Sequence, residues 1–182
     1  AAAYNVLGNA LKQSGKLAEA EKNYSQAIAL APNDATVLAN LGNLYAEEQK
    51  WQQAIPYYQE AIALRPNFAG AYRNLAKAWT QVGKSAEAAD CWYQAYTLEP
   101  QEVSYNQYFN LGNTLCRQGQ ISQAVWCYRK AIELNPNYAA AYHNLGSALK
   151  RQGKLDESAF YYQKAQELNG GPLVSKKVQA KT

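Results

Sequence analysis

Apolar positions along this chain recur with a helical spacing, and that spacing itself recurs. In Tyr142-Leu145-Gly146-Leu149 and Leu38-Leu41-Gly42-Tyr45 the gaps are three, one and three residues. At about 100° per residue, such gaps put all four on one helix face. The leucines Leu7, Leu41, Leu75, Leu111 and Leu145 lie 34, 34, 36 and 34 residues apart. A period of that size predicts stacked copies of one supersecondary unit.

Numbering each copy from 1 gives repeats 1–34, 35–68, 69–102, 105–138 and 139–172, with Val103-Ser104 inserted and 173–182 left as a tail. Pro32, Pro66, Pro100 and Pro136 close four copies where a helix must stop. Gly15, Gly83, Gly119 and Gly153 fall between two periodic segments, where a left-handed helix cap favours Gly. Gln49 replaces that Gly in the second copy and predicts a different or more strained turn. Each repeat therefore reads as helix A (positions 1–14), a tight turn, helix B and a short loop. Position 8 is small (Gly8, Gly42, Ala76, Gly112, Gly146), whereas position 24 is aromatic (Tyr24, Tyr58, Trp92, Tyr128, Tyr162). Large beside small on facing helices predicts an interlocked core. Pro56, inside the second helix B, is expected to bend it slightly.

This pattern, with Ala at position 27 and Pro at 32, resembles the tetratricopeptide repeat (TPR) over about 170 of the residues. Its regularity is similar to that of the arrays attached to O-linked N-acetylglucosamine transferases and related bacterial proteins. The resemblance implies an all-α, right-handed superhelical solenoid of five helix-turn-helix repeats, about ten helices, with A helices lining a concave side. Asn169-Gly170-Gly171-Pro172 marks the end of the array. Leu173, Val174 and Val178 offer a short capping helix, with a frayed basic tail as the alternative.

Opposite the core stripe, position 6 reads Val6, Asn40, Asn74, Asn110, Asn144, and position 9 reads Asn9, Asn43, Lys77, Asn113, Ser147. Asn is a middling helix former, so its repetition on a non-core face has no evident packing reason. A carboxamide sets one donor beside one acceptor, which matches a peptide group of an extended chain. In transferase-type TPR arrays Asn at position 6 holds a ligand backbone, and the resemblance implies that role for Asn40, Asn74, Asn110 and Asn144. In the competing reading, these residues only solvate or cross-link neighbouring A helices.

Charge extends the argument. The formal +4 includes Lys176, Lys177 and Lys181 of the tail, so the body is nearly neutral. Helices A nevertheless carry Lys12, Arg73, Lys77, Arg117, Lys150 and Arg151 against Glu47 and Glu48. A basic groove on a neutral body favours an acidic or carboxylate-bearing peptide. The candidate peptide-binding set is thus Asn9, Asn40, Asn43, Arg73, Asn74, Lys77, Asn110, Asn113, Arg117, His143, Asn144, Lys150 and Arg151. TPR clamps for acidic chaperone C-termini use Lys, Asn, Asn, Lys and Arg at defined positions. Here the first register offers Asn5, Asn9, Asn40, Gly70 and Asn74, and the register from repeat 3 offers Arg73, Lys77, Asn110, Ala140 and Asn144. Neither completes the clamp.

Catalytic chemistry is not indicated. His143, the single histidine, has no Cys or carboxylate at metal-ligand spacing, so no metal or cofactor is expected. Cys91, Cys116 and Cys127 form no CxxC pair, and a reduced, cytoplasmic setting is the simplest expectation. No apolar run approaches the roughly 18 residues of a membrane span. The N-terminus lacks signal-peptide character, and the absence of any Met predicts a piece of a longer polypeptide. Nucleic acid is not expected, because the A-helix stripe lacks stacking aromatics except Phe109. The expected function is a non-enzymatic scaffold for a protein or peptide ligand. The alternative is the substrate-recruiting arm of a glycosyltransferase or methyltransferase. Oligomeric state is left open.

Overall fold

Helix-forming stretches of 12 to 14 residues, each ended by a turn signal, fold as the period predicts. In the computed structural model, which describes residues 1–170, ten α-helices follow one another. The A helices are α1 (Ala2–Gln13), α3 (Ala35–Glu47), α5 (Ala69–Gln81), α7 (Tyr105–Arg117) and α9 (Ala139–Arg151). The B helices are α2 (Leu17–Leu30), α4 (Trp51–Leu64), α6 (Ser85–Leu98), α8 (Ile121–Leu134) and α10 (Leu155–Leu168). Every B helix spans positions 17–30 of its repeat. The described residues form an all-α solenoid of helical hairpins, in which each A helix packs on its own B helix. The capping helix expected over 173–182 lies outside the described residues.

The chain divides into two compact units, Ala1–Glu102 with three hairpins and the part from Val103 onward with two. In the first unit α2 is sandwiched between α1 and α3, and α4 between α3 and α5. Ala20, Tyr24 and Ala27 of α2 share a core with Val37, Leu41 and Leu44 of α3. Ala54, Ile55 and Tyr58 of α4 pack with Leu75, Ala76 and Ala78 of α5. Leu7, with no helix packed before it among the described residues, is 49 % exposed, whereas its equivalents Leu41 and Leu75 are 2 % and 4 % exposed. In the second unit Tyr108, Leu115, Tyr128, Leu145 and Leu149 are the large buried side chains.

The tight turns show why position 15 favours Gly. Gly15, Gly83, Gly119 and Gly153 have φ of 76° to 80°, and the residue after each donates its N–H back across the turn. Lys16 N–H reaches Leu11 O at 2.9 Å, and Gln120 N–H reaches Leu115 O at 2.9 Å. Gln49 makes the same turn at φ 60°, with Lys50 N–H on Tyr45 O at 2.9 Å. The second repeat thus keeps the turn and accepts the left-handed strain of a residue with a Cβ. The inserted Val103-Ser104 also has a local role. Ser104 caps α7 through a reciprocal box with Gln107, and Val103 is buried. Helix α4 runs unbroken through Pro56, which is exposed.

Position 8 is constrained more tightly. A Cβ on Gly42 would stand 2.8 Å from Tyr58 Cε1, and one on Gly112 would stand 2.7 Å from Tyr128 Cε1. Both rings are almost wholly buried and have no room to retreat. The third repeat pairs Ala76 with Trp92 instead, so the extra methyl goes with a different ring.

Two stability outcomes follow. Gln49→Gly relieves a left-handed strain of about 1–2 kcal/mol while making the unfolded chain freer by about 0.5–1 kcal/mol, so a net gain of roughly 0.5–1 kcal/mol is expected in urea unfolding. Gly42→Ala gains helix propensity but overpacks Tyr58, and a loss of about 1–2 kcal/mol is expected. A stabilised Gly42→Ala variant would contradict the close-packing account.

Candidate functional site

The non-core face of the A helices is built around the same tyrosines. In the first, second and fourth repeats the position-24 ring lies against the glycine, and its hydroxyl emerges beside position 9. Tyr24 donates to Asn9 Oδ1 at 2.7 Å, Tyr58 to Asn43 Oδ1 at 2.9 Å, and Tyr128 to Asn113 Oδ1 at 2.9 Å. Burial raises the pKa of all three phenols, so the hydroxyls stay protonated and able to donate.

The position-9 oxygen accepts a second bond from the next A helix. Asn74 Nδ2 donates to Asn43 Oδ1, and Asn144 Nδ2 to Asn113 Oδ1, each at 2.7 Å. In the first repeat Asn40 Nδ2 instead reaches Asn5 Oδ1 at 2.9 Å. This corrects the expectation that the asparagines lack a packing reason, because they stitch neighbouring A helices together. The stitching does not exhaust them. Asn74 spends one N–H on this bond, whereas Asn144 also stands within hydrogen-bond reach of the Tyr128 hydroxyl; neither carbonyl oxygen takes part in the stitching. Asn110 makes no side-chain hydrogen bond to the described residues.

Two cells of this lattice open into pockets. In the second unit, Asn110, Asn113 and Asn144 line a cavity of about 630 Å³ together with Arg117, Arg151 and Cys116. In the first unit, Asn43, Asn74 and Lys77 line a smaller one of about 330 Å³ together with Lys12 and Glu47. Sequence reasoning had not placed Tyr58 and Tyr128 in these walls. The available signal was that Tyr at 24 accompanies Asn at 9 in three repeats, whereas Trp92 accompanies Lys77.

Charge is less evenly spread than the A-helix total predicts. Arg73 is taken up by Glu99 and Glu102, the second of these in the 3-10 turn Pro100–Glu102. Lys12 pairs with Glu47. In the second unit, α7 and α9 hold Arg117, Lys150 and Arg151 and no acid. Arg151 Nη1 donates to Cys116 O at 2.9 Å and lies 3.1 Å from its Sγ, whereas Arg117 touches only Thr114 Oγ1, at 3.3 Å. The basic character expected along the whole face is thus concentrated on α7 and α9.

The remaining candidates stand apart from both cavities. Asn9 and Asn40 are engaged as above. The His143 ring stands edge-on to Tyr162 at 5.2 Å, and Lys150 is exposed outside the pocket lining. Phe109 packs against Tyr138 at 4.8 Å and Tyr128 at 6.0 Å, which makes it part of a structural aromatic cluster. Among the described residues no group of three or more His, Cys, Asp or Glu could hold a metal ion. No helix there is long and apolar enough to cross a membrane.

Comparison with known proteins agrees with the hairpin geometry. Models of the tetratricopeptide repeat match residues 1–67, 39–103 and 139–171, and one described as TPR repeat matches 112–153. The chain belongs to the tetratricopeptide repeat family. Among solved structures, this TPR protein is similar to a crystal structure of MamA protein, with 26% identity over 93% of this chain and 91% of that one, at a TM-score of 0.58. A MamA structure from Desulfovibrio magneticus RS-1 has 20% identity over 92% and 93%, at 0.57. YrrB, described as a TPR protein with an unusual peptide-binding site, has 19% identity over 92% and 85%, at 0.60. The last two likenesses carry the fold alone. No protein of curated function matches the chain.

The thiols give a check on the cavity. Burial pushes Cys127 up to about 12, and burial with nearby Asp90 and Glu87 pushes Cys91 up to about 11. Raised pKa and burial both suppress the thiolate, whereas Cys116 lines an open pocket. At pH 8 iodoacetamide is expected to label Cys116 at least about tenfold faster than the other two. Peptide mapping that finds Cys127 labelled as fast would contradict the burial described.

Proposed function

We propose that this TPR protein is a non-catalytic scaffold whose A-helix faces bind an extended, acidic peptide segment of a partner protein. The observation that carries this reading is the pair of oriented carboxamides at Asn74 and Asn144. Each is held through an N–H by the position-9 asparagine of the preceding A helix, which leaves its carbonyl oxygen, and at Asn74 a second N–H, for a ligand. An extended peptide unit offers the complementary acceptor and donor, whatever its side chains. Pre-orientation by the lattice lowers the ordering cost of binding. The acid-free α7 and α9 favour a negatively charged segment. YrrB, described as a TPR protein with an unusual peptide-binding site, supports this reading at the level of the fold.

Asn110 provides the cleaner test, because it has no side-chain partner whose loss could unfold the protein. Peptides selected from a random twelve-residue library on the wild-type protein are expected to lose about tenfold in affinity for Asn110→Ala and for Asn144→Ala, the worth of one to two hydrogen bonds. Only Asn144→Ala should also lower stability, by about 1 kcal/mol. Unchanged titration curves for both variants would rule out the carboxamide grip.

A further inference from the structure

The two lattice cells share an equivalent pair of bonded asparagines and the same tyrosine floor, with Lys77 in the α3–α5 cell where the other has Ser147, but have opposite charge at position 13. In the cell between α3 and α5 that position is Glu47, and its carboxylate neutralises Lys12. In the cell between α7 and α9 it is Arg117 on one helix and Arg151 on the other, and no carboxylate lines the cavity. Nothing in the core requires this, since all three side chains are exposed. Two exposed guanidinium groups on one cavity wall repel each other unless an anion lies between them.

We infer that the α7–α9 cell is a carboxylate subsite, with Arg117 and Arg151 as its specificity-determining residues. The inference rests on the peptide-binding reading above and deepens it, placing the preference for negative charge in one pocket. A carboxylate is the fitting group. Arg151 has Nη1 committed to Cys116 O, which leaves its other N–H groups to meet two planar oxygens, and Arg117 is almost unengaged. The other donors within reach are neutral, chiefly the side-chain amides of Asn113 and Asn144, and these complete a singly charged planar group better than a dianionic phosphate. The carboxylate can come from an Asp or Glu side chain or from a peptide C-terminus. In the α3–α5 cell Glu47 stands beside Lys12 and Lys77, so a carboxylate entering there meets a like charge that the α7–α9 cell lacks.

Cys116 lies in the subsite and reports on it without a peptide. Its thiolate attacks a reagent disulfide, forming a mixed disulfide and releasing the reagent's thiolate. The rate with dianionic 5,5′-dithiobis(2-nitrobenzoate), divided by the rate with neutral 4,4′-dithiodipyridine, measures attraction of carboxylates into the pocket. This ratio is expected to fall about tenfold in Arg117→Gln/Arg151→Gln and to fall with added salt in the wild type. In an Ala46→Cys/Cys116→Ser protein, which moves the reporter to the equivalent position of the α3–α5 cell, the ratio should be low and should rise on adding Glu47→Arg. An unchanged ratio in the double Arg variant, or no rise with Glu47→Arg, overturns the subsite. Selected peptides that carry one internal Glu or one free C-terminus identify the carboxylate's source by which of them shields Cys116. Loss of all shielding with the reagent ratios intact would count against the peptide reading and leave the anion subsite standing.

Discussion

The contact on which the rest depends is a buried aromatic ring at position 24 lying flat against a glycine on the facing helix. Because the glycine has no Cβ, the ring comes close enough for its hydroxyl to pass the A helix and meet position 9 on the far side. A core contact is thereby wired to the outer face. The helix spacing, the glycine and the asparagine oxygen belong to one arrangement. The second bond to that oxygen, from the asparagine of the next A helix, then couples one hairpin to its neighbour. In repeat proteins most stability beyond a single unit comes from such nearest-neighbour terms.

This coupling joins two readings of the position-6 asparagines that looked exclusive. A carboxamide that cross-links helices could have been thought spent, and one that binds a ligand could have been thought unsupported. The geometry is compatible with both uses: an N–H is committed to the neighbouring helix, and the carbonyl oxygen is not. The inward bond sets the direction of the outward groups. A side chain held this way loses less rotational freedom on binding than a loose surface asparagine.

Much of the fold was legible because it is periodic. Ten helices, their turns and the small-beside-large core follow from a 34-residue spacing and from Gly and Pro placed by backbone sterics. Gln49 shows the limit of that logic, since the backbone hydrogen bonds of its own hairpin close the turn even where the residue is wrong for it. The candidate site was legible as a list of residue types on one face but not as a set of partnerships. Arg73 was counted as free charge because Glu99 and Glu102 reach it from a loop whose 3-10 shape has no periodic signature. The tyrosine–asparagine bonds join residues fifteen apart on different helices, so their geometry exists only once the hairpin has closed. Charge counted by face gave only a sum, and pairing decided where the charge was available.

The third hairpin shows what this wiring means for change over time. There position 8 is Ala76, position 9 is Lys77 and position 24 is Trp92, so ring, gap and outer residue all differ together. Steps between the two versions carry a cost, since a methyl meets a tyrosine or a hydroxyl loses its acceptor, although the fifth hairpin keeps Gly146 and Tyr162 with Ser147 in place of asparagine. The three positions form an epistatic cassette. Drift along this chain is therefore expected to exchange whole hairpins by duplication and replacement more readily than to edit one face of a hairpin alone. The outward chemistry of such an array is inherited in blocks.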